Sequence, residues 1–355
     1  MDIVSIGFYN QCSHSYGCLV KWLAKLRIDG FLLGLFVAMG IGLVLPARGD
    51  AADVLDWATK IAIAVLFFLY GTRLEPREAL EGLKHWKLHT TVLAATYVLF
   101  PLLGLAMRLL VPSALTDDLY TGVLYLCLLP STVQSSIAFT SIARGNVAAA
   151  VVSASVSNML GVFMTPVLVM LLMQTTGEAT VSPTAILEIV VQLLLPFVAG
   201  QVLRPKLYRV LSHTTLTKVV DRGSVYLVVY AAFSAGMVEH VWQGLQISRL
   251  LAVVGVSVVL LAVVLGVTAG AARLLRFDRA DRIVVIFCGS KKSLATGLPM
   301  ATVLFAGHPV GLIVLPLMIF HQIQLITCAA LAGRWGRAAE RADEGDIGSR
   351  TVAAA

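Results

Sequence analysis

The chain has 355 residues, of which 58% are hydrophobic and only 13% charged, and its formal net charge is +7. Apolar residues in that number, arriving in runs of about 20, exceed what a soluble core buries; they exclude an ordinary globular enzyme and describe a polytopic helical membrane protein. The positive charge sits in the loops that flank the runs, not on a face suited to nucleic acid.

Residues 1–28 read as a cytoplasmic tail. Met1 to Gln11 lacks the basic stretch of a signal peptide, and no apolar core with a cleavage site follows. Leu19 to Ile28 alternates apolar and basic residues, which suits a short helix lying on the membrane surface. Ten candidate spans come next, near residues 31–47, 57–71, 89–111, 120–143, 147–173, 185–203, 223–239, 250–272, 282–305 and 310–332. Five fall in a first half, 29–175, and five in a second, 176–335. The tail at 336–355 is charged and alanine-rich and is expected to fray. With both termini cytoplasmic, the 27 lysines and arginines gather on the cytoplasmic side, except Arg48, Lys60, Arg108, Arg249 and a buried pair, Lys291 and Lys292. Such asymmetry supports ten spans with both ends inside, as in a bacterial inner membrane. Cys12, Cys18, Cys127, Cys288 and Cys328 lack CxxC spacing, so neither a metal site nor a disulfide framework is indicated.

Two spans are interrupted. Span four contains Pro130-Ser131-Thr132-Val133-Gln134-Ser135-Ser136, and span nine contains Cys288-Gly289-Ser290-Lys291-Lys292-Ser293 with Pro299 beyond. Irregular backbone at mid-span survives only inside protein or beside a cavity. Shifted by about 154 residues, the offset between the first and sixth spans, the first break lands on Phe287 to Ser290 of the second. An odd number of spans per half inverts the second half relative to the first. Paired broken helices in inverted repeats point to alternating access, with the site where the breaks cross.

At that crossing Thr132, Gln134, Ser135 and Ser136 can hydrogen-bond a ligand. Ser131, Ser135 and Ser136, with Ser153 of span five and Ser290 of span nine, can supply oxygens to a small cation. Lys291 and Lys292, beside Ser293, add fixed positive charge where each charge costs roughly 2.5–3.5 kcal/mol, and an anionic ligand is the evident counter-charge. As helix neighbours the lysines would point about 100° apart, one to a cavity and the other to carbonyl oxygens. His321 and Gln322 of span ten line the cavity or bond a neighbouring helix. Asn158, Gly161 and Pro166 read as packing and kink residues. Single serines in membrane helices usually bond the preceding turn; clustering on a broken span is what marks these as a site.

The stretch Leu129 to Val147, ending Ala143-Arg144-Gly145-Asn146-Val147, together with Phe287 to Gly297, resembles the SBF-like branch of the bile acid:sodium symporter family, from about Asp29 to Trp335. The resemblance implies a ten-helix fold of two inverted five-helix repeats. It implies a panel domain of spans one, two, six and seven and a core domain of spans three to five and eight to ten, with discontinuous spans four and nine crossing. It also implies transport of organic anions, bile acids and related carboxylates among them, typically with sodium. Several of the positions it aligns depart from that pattern. Phe287 and Lys291 stand where sodium-coupled members have an acidic residue and a glutamine. Ala150 and Ala154 stand for a hydroxyl pair, with Ser153 and Ser155 adjacent. Ser135-Ser136 replaces a serine-asparagine pair, and His321-Gln322 resembles a histidine-asparagine pair. These departures argue against two-sodium coupling and favour a lysine amine standing in for the cation, so that transport is proton-linked or uncoupled.

Other classes fare worse. A Ser-Lys pair of Ser290 or Ser293 with the lysines is the only semblance of an intramembrane enzyme, and the chain is read as not an enzyme. A cation/proton antiporter would need a central Asp or Glu. A regulatory membrane protein on a transporter fold is distinguished by binding without flux. The expected partners are the lipid bilayer and a small organic anion, with Na+ or H+ as the coupling ion, no metal, no other cofactor and no nucleic acid; a homodimer is left open.

Overall fold

The computed structural model describes residues 30–73, 85–175, 190–211, 215–238, 240 and 246–353, and among them every regular element is helical. The expected surface helix at 19–28, Cys12, Cys18 and the start of span six lie outside the described residues. The first half contains α1 (Gly30–Val44), α2 (Asp50–Arg73), α3 (Trp86–Leu110), α4 (Asp117–Leu128), α5 (Val133–Ile142) and α6 (Val147–Thr175). The second contains α7 (Leu195–Leu211), α8 (Thr215–Val238), α9 (Ile247–Leu274), α10 (Arg279–Gly289), α11 (Leu294–Leu304) and α12 (Val310–Ala353).

Four of these, α3, α6, α9 and α12, include stretches long and apolar enough to cross a bilayer. The pair α4 and α5, bent by 62° at their junction, adds a fifth when counted as one broken span. Shorter apolar stretches lie at Leu33–Val44 in α1 and Arg222–Val238 in α8. Exposed Leu251, Val258, Val259 and Val263 line the outside of α9, a surface that hydrocarbon can wet and water cannot.

Helix starts follow the sequence. Thr116 accepts a hydrogen bond from the Leu119 amide to open α4, Asp278 accepts from Asp281 to open α10, and Ser293 accepts from Thr296 to open α11. Each satisfies one amide the first turn leaves free. Pro130 ends the α4–α5 span early because its ring removes a donor and disfavours helix in Leu129, which is extended.

Packing sorts the helices. α2 lies along α7, and α8 lies against α1 and α2, while α4, α9 and α12 pack with the broken segments. Gly71 and Gly200 let α2 and α7 touch backbone to backbone: a methyl group on Gly71 would collide with the Phe197 carbonyl, and one on Gly200 with that of Phe68. Without a hydrophobic force between helices in lipid, such close approach is how they gain contact.

The tail departs from expectation. α12 does not stop near residue 332 and fray but continues as helix to Ala353. It is tied down beyond the apolar stretch: Trp335 packs against Phe287 in a tilted contact with ring centroids 5.3 Å apart, Arg279 donates to the Trp335 carbonyl at 3.0 Å, and Glu340 lies 3.5 Å from Arg144.

Candidate functional site

The two breaks meet, and they meet through their free backbone groups. When α4 stops, the carbonyls of its last residues have no amide ahead of them. The Ser131 amide, which would have bonded Cys127, turns instead to Ser157 Oγ at 3.1 Å. The carbonyl of Leu128 accepts from Thr165 Oγ1 at 2.8 Å, and that of Pro130 accepts from the Ser293 amide at 2.9 Å. The two that remain, on Cys127 and Leu129, accept from Lys292 Nζ at 2.8 and 2.6 Å.

A third acceptor comes from α3, by way of its π-helical turn. There the Phe100 amide reaches back to Ala95, and Pro101 has no amide, so the carbonyl of Thr96 is left without a helical donor. Lys292 Nζ donates to it at 3.0 Å and lies 4.1 Å from the centroid of the Phe100 ring. Three hydrogen bonds from a charged donor, each worth about 1.5–3 kcal/mol, exceed the roughly 2.5–3.5 kcal/mol cost of a mid-span charge. Lys292 is therefore a balanced, caged ammonium.

From the other side Ser131 Oγ donates to the Cys288 carbonyl at 2.6 Å, and Thr132 Oγ1 to that of Lys292 at 2.7 Å. Gln324 of α12 brackets the Lys292 backbone: its Oε1 accepts from the amide at 3.0 Å and its Nε2 donates to the carbonyl at 2.9 Å. The same Nε2 lies 2.8 Å from His321 Nδ1. With the Gln324 amide oriented by the Lys292 backbone, Nδ1 is the acceptor and the ring proton is assigned to Nε2.

Lys291 is oppositely placed. Its Nζ sits 3.7 Å from the centroid of Phe139 in α5 and 5.7 Å from that of Phe287, and it has no hydrogen bond although fully buried. A desolvated cation–π contact is worth about 2 kcal/mol, less than the several kcal/mol that burying an unpaired ion costs. The lysines do not splay by a helical step, because residues 291–293 are not helical. In such unwound backbone neighbours alternate sides, so Lys292 turns to the α4 half of the broken span and Lys291 to the α5 half.

The other expected residues are distributed unevenly. Ser131, Thr132, Lys292, Ser293 and His321 are drawn together at the crossing. Ser135, Ser136 and Ser290 have buried hydroxyls without a well-formed hydrogen bond. Gln134 is exposed on α5, and Gln322 is half-buried, two residues from the glutamine that binds Lys292. Ser153 is 2.8 Å from His89 Nδ1. Sequence reasoning missed Gln324, Ser157, Thr165, Thr96 and the link from Thr296 Oγ1 to Asn158 Oδ1 at 3.0 Å. Pro101 in the middle of a span was the available signal for Thr96.

Beyond the crossing, a cavity of about 580 Å³ opens between α2, α8 and the far end of α11. Its lining includes Arg48, Thr59, Ser234, Thr302 and His308, and Lys60 bound to Asp56 at 2.7 Å. No group of three or more metal-ligating side chains occurs among the described residues.

The sequence model of the SBF-like CPA transporter family matches residues 29–337. The chain belongs to that family. An "Uncharacterized protein PA2026" of Pseudomonas aeruginosa is 51% identical over 310 residues, covering 87% of this chain and 93% of that relative. A protein named "Putative symporter YfeH" in Escherichia coli is 48% identical over 316 residues, 88% and 95% of the two chains. Rat sodium/bile acid cotransporter 7 is 29% identical over 324 residues, 88% and 94%. The protein is thus an integral membrane transporter and not an enzyme.

Proposed function

We propose that this SBF-like protein is a secondary transporter of small organic anions, bile-acid-like carboxylates among them, in which the Lys292 ammonium takes the place of a coupling sodium ion. The observation that carries the reading is the cage of three backbone carbonyls around Lys292 Nζ. Backbone carbonyls at the ends of broken helices are what coordinates a coupling cation in transporters of this architecture, and here a tethered amine occupies them. Two inverted five-span halves, 29–175 and 176–335, with both termini cytoplasmic in a bacterial inner membrane, provide the frame for alternating access. The cavity near Arg48 and His308 has a volume in the range of small-molecule sites, and Arg48 suits an anionic head. The name of one relative, a sodium/bile acid cotransporter, supports the substrate class. An antiporter would need a carboxylate at the crossing, and none hydrogen-bonds there among the described residues.

The test is uptake by proteoliposomes of a labelled panel of carboxylates and bile salts under an inward sodium gradient, an inward proton gradient, or neither. Uptake of at least one anion without sodium is expected. Uptake that strictly requires sodium, with Lys292 intact, would overturn the reading.

A further inference from the structure

The balanced cage of Lys292 leaves its neighbour unexplained. Lys291 Nζ is fully buried and forms no hydrogen bond, and its ionisable neighbours are the thiols of Cys328 and Cys288. No acidic side chain is among them in the described residues. Phe139 and Phe287 face the amine, and the Trp335 ring lies against Phe287. Aromatic faces attract an ammonium through their quadrupoles and offer nothing comparable to a neutral amine. The enclosure therefore suits a cation for which no described residue supplies a counter-ion.

Around that cation stand donors. Ser136 and Thr140 share with Phe139 one face of α5, being three and four residues apart. Their hydroxyls, and that of Ser290, are buried without a well-formed hydrogen bond. The Ser136 hydroxyl rests against the Cys288 thiol, and the Ser290 hydroxyl against that of Cys328. Those two thiols are the same ones that neighbour Lys291. The Cys288 thiol already donates to the Ala150 carbonyl; the ammonium and the hydroxyls are the unsatisfied groups, and buried groups of this kind call for a partner.

We infer that Lys291, with the hydroxyls of Ser136 and Ser290, forms an occluded site for a small monovalent anion: a halide, or a carboxylate no larger than acetate. Because the amine and both serines are closed off from solvent, a bulky hydrated anion does not fit. The site lies on the α5 side of the crossing, away from the Lys292 cage, and does not depend on which solute is carried.

The experiment is thermal unfolding of the purified protein in choline chloride, choline acetate and choline gluconate at equal ionic strength, for wild type, Lys291→Met and the double variant Ser136→Ala/Ser290→Ala. A ligand of the folded state alone raises its stability. Chloride is expected to raise the Tm of wild type above that in gluconate by at least about 3 °C, with the Lys291→Met protein unresponsive. The serine double variant should need about tenfold more chloride for the same shift, the effect of weakening two donors. Acetate matching chloride identifies a small carboxylate; chloride alone identifies a halide. Equal Tm in all three salts for wild type, or an undiminished response in Lys291→Met, overturns the site. If Lys291→Met does not fold, equal chloride dependence of the serine variant and wild type overturns it instead. Since the readout is stability, a failure of the transport assay leaves this result standing, and the reverse.

Discussion

Gln324 holds both polar groups of the Lys292 peptide backbone, accepting its N–H at 3.0 Å and donating to its C=O at 2.9 Å. A side chain on α12 thus fixes the unwound stretch of the broken span, and through it the direction in which the Lys292 amine leaves the backbone. Removing it should leave the Lys292 N–H without an acceptor in a site without solvent, while the carbonyl keeps its bond from Thr132 Oγ1.

Gln324→Ala is expected to cost about 1–3 kcal/mol, the penalty of one buried group left unsatisfied. Gln322→Ala, two residues away and half-buried, should cost less than about 1 kcal/mol. Chemical or thermal unfolding of the two variants side by side measures the difference.

The adjacent lysines should behave as opposites. Lys292→Met strands three carbonyls and is expected to lower stability by more than about 4 kcal/mol. Lys291→Met replaces an unpaired buried cation by an apolar side chain of similar length and, in gluconate, should be neutral or stabilising by up to about 4 kcal/mol. Similar large losses for both would contradict the asymmetry of their surroundings.

At the α2–α7 contact, Gly200→Val would force side-chain atoms against the Phe68 carbonyl. Overpacking of this kind costs about 1–3 kcal/mol. Gly223 has no atom within 4 Å of an added methyl, so Gly223→Ala should be neutral or slightly stabilising in its helix. Thermal shifts of the two variants in the same detergent compare them.

The end of α12 offers a contrast in charge. Arg144 and Glu340 are each about half-exposed, so Glu340→Gln is expected to change stability by less than about 0.5 kcal/mol, and less still in high salt. Arg279 donates to the carbonyls of Ala143, Arg144 and Trp335. Arg279→Ala should therefore cost more, about 1–2 kcal/mol, and unfolding curves at low and high salt separate the two cases.

The breaks were legible because proline and glycine announce where a helix loses its ladder, as at Pro130 and Gly289. The burial of two lysines in an apolar run was equally plain. Which lysine would be satisfied was not, because that depends on whether residues 291–293 are wound: as helix they diverge by a third of a turn, and unwound they face opposite ways. Gln324 escaped notice for a related reason. Gln322 and Gln324 are two steps apart on one helix, so their side chains leave by nearly opposite faces, and only the packing of α12 on the break selects between them. The cage itself is made of carbonyls, which every residue has, so only the prolines that take donors out of the helical ladder, Pro101 and Pro130, could hint at it.

The unbroken course of α12 has a mechanical consequence. Its 44 residues make a rod of about 66 Å, roughly twice the thickness of a hydrocarbon core, pinned at one point to the Lys292 peptide and at another to Phe287 and Arg279. Any tilt of the broken spans about their crossing is carried to the free end of that rod and enlarged there. A spin label near residue 350 would register as several ångströms a rearrangement that displaces the crossing by a fraction of that, making the C-terminus the natural pointer for the transporter's internal state.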